Sequence, residues 1–263
     1  MYSLSHYWDL TLVLTRKEIK VRYKNHVLGY LWSVANPLAF TLILYMVFTM
    51  IKATSEPKFP IFLITGLIPW QWFSNSVGIS PTIFRSNASI IKKINFPRSI
   101  IPLAMVLQDM IHFILSIPVI VLFLLIFREA PSLSWLYGIP LLLLIHLFLT
   151  YGIVLIISSI NLFFRDMEKL TNIFIMLLFY CTPIFYSVDK IPHKYRLIVD
   201  LNPQKLIVYL NPLAPLIINW RNLLLHGSLE LHYLVVSVFH AALAAAIGYL
   251  IYKKLSWKFA EVI

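Results

Sequence analysis

The sequence has one cysteine, Cys181, so no intrachain disulfide can form and the redox compartment is left open. It has no G-x-x-x-x-G-K-S/T, so the chain cannot by itself cradle nucleotide phosphates in the P-loop manner. Any ATP has to be handled by another polypeptide. H-E-x-x-H and G-x-S-x-G are also missing, and no cluster of acids lies within the apolar segments, which leaves membrane-embedded catalysis little to work with. The ionisable residues inside those segments are Asp109, His112, His146 and His240, too few for a proton relay across a bilayer. Nor is there the internal repeat of a complete secondary transporter, so half of a symmetric assembly fits better. The chain lacks a short charged start leading into an apolar run and a small-residue cleavage site, so its N-terminus is expected to be retained.

What the sequence does have is apolar length. Hydrophobic residues make up 60% of 263 residues and the mean hydropathy is +0.81, far more than a soluble domain of this size could bury. Six segments meet or nearly meet the ~20 residues needed to cross a ~30 Å hydrocarbon core: Leu31 to Ile51, Pro60 to Phe84, Ile100 to Phe127, Trp135 to Phe164, Leu170 to Tyr186 and Tyr233 to Tyr252. With both termini cytoplasmic, 14 of the 22 basic residues fall on inner segments: Arg16, Lys17, Lys20, Arg22, Lys24, Arg85, Lys92, Lys93, Arg98, Arg165, Lys169, Lys253, Lys254 and Lys258. Five of the rest sit in one long outer connection, where the positive-inside rule weighs less. A net charge of +11 raises nucleic acid as a partner, but a basic run beside a first span reads as contact with anionic lipid headgroups, and no nucleic acid is expected.

Three connections carry structure of their own. Residues 5–27 read as a helix lying at the membrane surface, with Asp9, Arg16, Lys17, Lys20 and Lys24 on one arc and Trp8, Leu12, Ile19 and Tyr23 on the next. Val13 intrudes on the polar side. This helix either anchors the chain or frames a cytoplasmic entrance. Residues 86–95 read as a short cytoplasmic helix capped by Ser86 or Asn87, with Ile90, Ile91 and Ile94 on one face and Asn95 and Pro97 at its end. It either rests on lipid or offers an apolar knob to a soluble partner. Residues 187–232 alternate short apolar runs with Pro192, Pro203, Pro212 and Pro215, so no single run spans; helical pieces that dip in from outside and return fit best. Within the spans, Asp109 and His112 lie three apart on one helix face and could satisfy each other, against a functional role for the only acid inside a span.

The order of motifs then becomes informative. Leu28-Gly29-Tyr30-Leu31-Trp32 leads to Asn36-Pro37-Leu38, followed by Gly66-Leu67-Ile68-Pro69-Trp70, Asn87 through Ile94, Asn95-Phe96-Pro97-Arg98 and Pro102-Leu103. Phe164-Arg165-Asp166, Phe179-Tyr180-Cys181-Thr182-Pro183-Ile184, Ile191-Pro192 and Asn211-Pro212 with Arg221, Leu224 and Gly227 come after. As an ordered set they resemble the membrane subunits of type-2 ABC exporters, the polysaccharide branch most closely. The likeness covers nearly the whole chain.

That resemblance implies an all-α integral membrane fold: a single permease domain of six transmembrane helices, the N-terminal interfacial helix, and two short re-entrant external helices between spans five and six. It implies a homodimer in the bacterial inner membrane with both termini cytoplasmic. Ser89, Ile90, Ile91, Lys92, Lys93 and Ile94 would form the coupling helix that docks on a separate ATPase subunit, present in two copies and carrying the Mg-ATP, with no cofactor or metal on this chain. Trp8, Arg16, Lys17, Lys20, Arg22 and Lys24 would belong to the entrance helix, and Asn211, Pro212 and Arg221 to the external gate. Spans one, two and five would line the path, with Tyr45, Phe48, Trp70 and Trp72 as lining candidates, since sugar C–H faces stack on aromatic rings. The implied cargo is a lipid-linked polysaccharide such as O antigen, capsule or teichoic acid. The chain departs from the family pattern between Leu197 and Leu210, where Leu-Asn-Pro is doubled. The competing readings are a drug or small-lipid exporter of the same superfamily and a stand-alone proton-coupled carrier or channel, with an integral-membrane enzyme third.

Overall fold

The computed structural model describes residues 4–23, 31–51, 58–94, 96–190, 195–196, 200–201 and 203–259. Lys24, Asn95, the motif residues 28–30 and 191–192, and the side chain of Arg22 lie outside the described set. The chain folds as α1 (Leu4–Tyr23), α2 (Leu31–Met50), α3 (Phe59–Ile79), a 3-10 turn (Ser80–Thr82), α4 (Ile83–Ser86), α5 (Ala88–Lys93), α6 (Ile100–Ile126), α7 (Trp135–Asn161) and α8 (Met167–Cys181). A two-residue antiparallel pairing of β1 (Tyr195–Arg196) with β2 (Asp200–Leu201) precedes α9 (Pro203–Leu210), α10 (Ala214–His226) and α11 (Leu231–Leu255). Among the described residues the architecture is thus helical apart from that pairing. By length and composition, Ile100–Ile126, Trp135–Asn161 and Leu231–Lys258 are long and apolar enough to cross a membrane, and α2 contributes a shorter apolar stretch, Ala35–Met50.

α3 is the centre of the bundle. Every residue from Ile61 to Trp70 is buried, and α3 packs against α2, α6, α7, α8 and α10. Its second half carries Gln71 and Ser74, half-buried, and Ser76, buried, which a lipid-facing helix would not tolerate so readily but which are admissible against protein; Asn75 is exposed. The sequence reading ran this segment on to Phe84. Instead the helix gives way after Ile79 to the Ser80–Thr82 turn, where Pro81 cannot continue the hydrogen-bond ladder. α8 also ends early, at Cys181 rather than Tyr186, because Pro183 follows and Thr182 turns extended.

α7 and α11 make the most extensive helix pair, and two glycines explain how closely they approach. A Cβ on Gly248 would overlap the carbonyl oxygen of Gly152, and one on Gly152 would overlap the backbone of Ala244 and Ala245. Such small-residue crossings gain dispersion contact where no hydrophobic drive separates protein from lipid. Gly248→Val is therefore expected to push the helices apart at a cost of about 1–3 kcal/mol, read as a lower melting temperature of the purified protein in detergent. Val in place of the exposed Ala246 serves as the control and should melt as wild type.

Candidate functional site

At one end of the bundle, α1 and α5 meet. Lys17 Nζ donates to Asn87 Oδ1 at 2.7 Å and to Glu18 Oε1 at 2.7 Å. Asn87 occupies the N-cap position of α5, but its Nδ2 donates back to the carbonyl of Ile83 at 3.0 Å, so the expected side-chain cap is replaced by a tie to α1. The three isoleucines do not share one exposed face. Ile91 is 6% exposed and belongs to the core, Ile90 is half-buried, and Ile94 is 55% exposed in extended backbone after the helix. Ser89, Lys92 and Lys93 are exposed beside it. On α1, Thr11, Leu14 and Thr15 face inward against α6, the threonine hydroxyls being satisfied by carbonyls one turn back. Trp8, Leu12 and Val13 face outward, with Arg16 and Lys20 also exposed.

Midway along the bundle the polar residues serve as joints between helices. Ser76 Oγ on α3 donates to Asp109 Oδ2 on α6 at 2.7 Å, and Gln108 lies 3.5 Å from His112. His146 stacks on Trp72, with ring centroids 4.1 Å apart, and its Nδ1 accepts from Trp220 Nε1 at 3.2 Å. Sequence reasoning missed this aromatic stack, which joins α3, α7 and α10; the spacing of residues 72, 146 and 220 gives no local signal of it. Trp72 also donates to the carbonyl of Val106 and is 2% exposed. It faces the interior of the bundle, and so does Trp70 at 5%. Of the four aromatic lining candidates these two are therefore the ones that present almost no surface in this structure. Phe48 packs on Phe59 and Phe185, and Tyr45 stays exposed on α2.

At the opposite end, Asn211 and Arg221 converge on the residues that follow α8. Asn211 Nδ2 donates to Thr182 Oγ1 at 2.9 Å, while its Oδ1 accepts from the Leu213 amide. Pro212, half-buried between them, stands in the turn from α9 to α10. Arg221, 6% exposed, donates from Nη1 to the carbonyl of Pro183 and from Nη2 to that of Ile184, both at 2.8 Å, and its guanidinium lies 3.7 Å over the Phe62 ring. Gly66 leaves it room: a Cβ there would stand 2.6 Å from Nη2. The arrangement is a latch holding α10, α3 and the end of α8 together. Nearby, Lys58 pairs with Glu129, and that ammonium holds the Glu129 carboxyl below its ordinary range.

The ABC-2 type transporter family model matches residues 9–210. Two O-antigen export system permease proteins RfbA of Klebsiella pneumoniae are each 45% identical over 262 residues, covering 100% of this chain and 98% of theirs. An RfbA of Myxococcus xanthus is 30% identical over 83% of this chain and 81% of its own. A polysialic acid transport protein KpsM of Escherichia coli is 28% identical over 74% of this chain and 76% of its own.

Substitutions at two positions test the joints. Asp109→Asn keeps an acceptor for Ser76 and should leave transport nearly intact, whereas Asp109→Leu strands the hydroxyl and should lower stability by about 1–3 kcal/mol. Complete loss of transport in Asp109→Asn, with normal accumulation, would assign the charge itself a role. Arg221→Met leaves two buried carbonyls without donors and should cost about 2 kcal/mol or more, seen as faster proteolysis of residues 187–230. Arg221→Lys should recover part of this, because an ammonium carries the charge without the planar fork.

Proposed function

The chain belongs to the ABC-2 type transporter family, and from that premise we propose that it is the membrane-spanning subunit of an ATP-driven exporter. Its cargo in this reading is a lipid-linked polysaccharide, O antigen in the first instance, carried from the cytoplasmic to the outer face of a bacterial inner membrane. The observation that carries the proposal is the likeness, end to end at 45% identity, to O-antigen export permeases. The chain supplies the path and a separate ATPase, in two copies, supplies Mg-ATP hydrolysis.

Geometry supports a six-span protomer made of α2, α3, α6, α7, α8 and α11. At the usual rise, the 15 residues of α8 cover only about 22 Å, short of the ~30 Å core. The non-helical Thr182–Ile184 that follows is buried against protein, and Arg221 satisfies its carbonyls, the condition under which irregular backbone survives at membrane depth. α9 and α10 make the re-entrant hairpin: Trp220 meets His146, which lies about 16 Å along α7 from its start. The exposed apolar faces of α2 (Phe40, Ile43, Val47) and α8 (Ile173, Met176, Leu177) suit a second copy at the centre of a homodimer.

Docking of the ATPase falls to Ser89, Lys92, Lys93 and Ile94, the exposed residues of the α5 region, with both termini on that cytoplasmic side. A charge placed in an apolar contact of this kind costs about 2 kcal/mol, roughly thirtyfold in affinity. Ile94→Asp should therefore accumulate normally in the membrane while losing both the copurifying ATPase and surface glycan. Ile91→Asp should instead fail to accumulate, because Ile91 is part of the core. Wild-type yield of ATPase with Ile94→Asp would show that this segment is not the docking surface.

A further inference from the structure

At the end of the bundle away from α5, a cavity of about 410 Å³ lies between the start of α3, the α6–α7 connection, residues 187–189, α10 and the start of α11. Its volume is in the range of small-molecule sites, about 300–1,000 Å³. Its floor is apolar, with Ile61, Phe62, Ile218 and Leu225, and Tyr233 stands at its edge. Its rim is rich in acceptors. Glu129 uses Oε1 for Lys58, Glu230 uses Oε1 for Asn222, and Asp189 uses Oδ2 for Ser187. The second oxygen of each carboxylate takes no hydrogen bond among the described residues.

The charge of the lining decides what class of ligand suits it. Lys58 and Arg221 give +2 and Glu129, Asp189 and Glu230 give −3, leaving −1 with His226 neutral. Both cations are committed, Lys58 to Glu129 and Arg221 to the Pro183 and Ile184 carbonyls. A phosphate or other polyanion would meet net negative charge. Among the described residues, no group of three or more His, Cys, Asp or Glu side chains is placed to hold a metal ion. A neutral sugar fits such a lining: its hydroxyls are donors for the spare carboxylate oxygens, and Tyr233 at the edge offers a ring to its C–H face, the Phe62 ring being taken by the Arg221 guanidinium.

We propose that this cavity is a sugar-binding site at the outer end of the protomer, which takes hold of neutral residues of the glycan as they leave the path. The proposal rests on the polysaccharide-export reading above. Binding at the exit biases outward movement, since a chain segment held outside is not free to slide back.

The test uses cells that export their glycan through this protein, with p-benzoylphenylalanine introduced at His226 or Leu225 in the cavity, or at Leu136, exposed on the first turn of α7 and outside it. Irradiation should give a protein adduct reactive with antiserum to the surface glycan from the first two positions and not from Leu136. Asp189→Asn combined with Glu230→Gln keeps side-chain shape and the acceptors for Ser187 and Asn222. Per unit of glycan exported, it should cut the adduct at least about tenfold, the loss expected when charged acceptors become amides. Glycan exported through the protein with no adduct at either cavity position, or an adduct unchanged by the double substitution, would overturn the site while leaving the export reading standing. If cells export the same glycan with this protein deleted, the export reading falls and the site with it.

Discussion

The interaction on which the half of the molecule away from α5 depends is the fork between Arg221 and the carbonyls of Pro183 and Ile184. Pro183 ends α8 and leaves backbone acceptors inside an apolar bundle, where each unsatisfied group costs several kcal/mol. A single guanidinium supplies two parallel donors in fixed geometry, and its flat face rests on Phe62, which offsets part of the cost of burying a charge. Gly66 is the third member. In Gly-Leu-Ile-Pro-Trp it is the position where the bulk of a Cβ would push the fork away, so the motif and the arginine answer to one constraint.

How much of this was legible depends on what ends a helix. The expected Ile100 to Phe127 and Trp135 to Phe164 correspond to α6 and α7 within a few residues, because long apolar runs between polar connections leave little choice. Proline was a poorer guide. Pro37, Pro69, Pro118 and Pro140 all lie inside helices, whereas Pro81 and Pro183 interrupt or end them. At Pro81 and Pro183 the freed backbone is taken up by side chains of other helices, Asn161 and Arg221, and a local window does not contain those neighbours. The isoleucines of α5 teach the same lesson: spacing put Ile90, Ile91 and Ile94 together, but the fold draws Ile91 inward and α5 ends before Ile94.

Polar residues within the apolar helices were the most ambiguous letters in the sequence. Asp109, His146 and the tryptophans permitted a proton route, a sugar path or plain packing. The structure uses them as joints: Ser76 to Asp109 between α3 and α6, Trp72 to His146 between α3 and α7, and His146 to Trp220 between α7 and α10. Without a hydrophobic drive between helices in lipid, such bonds and close glycine crossings do the specifying. An abundance of aromatic residues therefore says little about a lined path. Burial separates Tyr45 from Trp72, and burial is a property of the fold.

These joints also constrain how the two ends of the bundle are linked. α3 starts beside the cavity lined by Lys58, Glu129 and Glu230, passes Gly66 at the latch and Ser76 at Asp109, and leads through the Ser80–Thr82 turn to α4 and α5. That turn would absorb a displacement of α5 if it were loose. Instead Ser80 and Pro81 are buried, Asn161 of α7 donates to the Pro81 carbonyl at 2.6 Å, and Arg85 reaches the Asn161 carbonyl. A close-packed interior shifts as blocks and does not stretch. Movement imposed on α5 therefore carries α3 and α7 with it, and both helices end against α10: α3 through Arg221 and Phe62, α7 through Trp135 on the Leu223 carbonyl and His146 on Trp220. α9 and α10 are thus tied to the two helices to which α5 is joined.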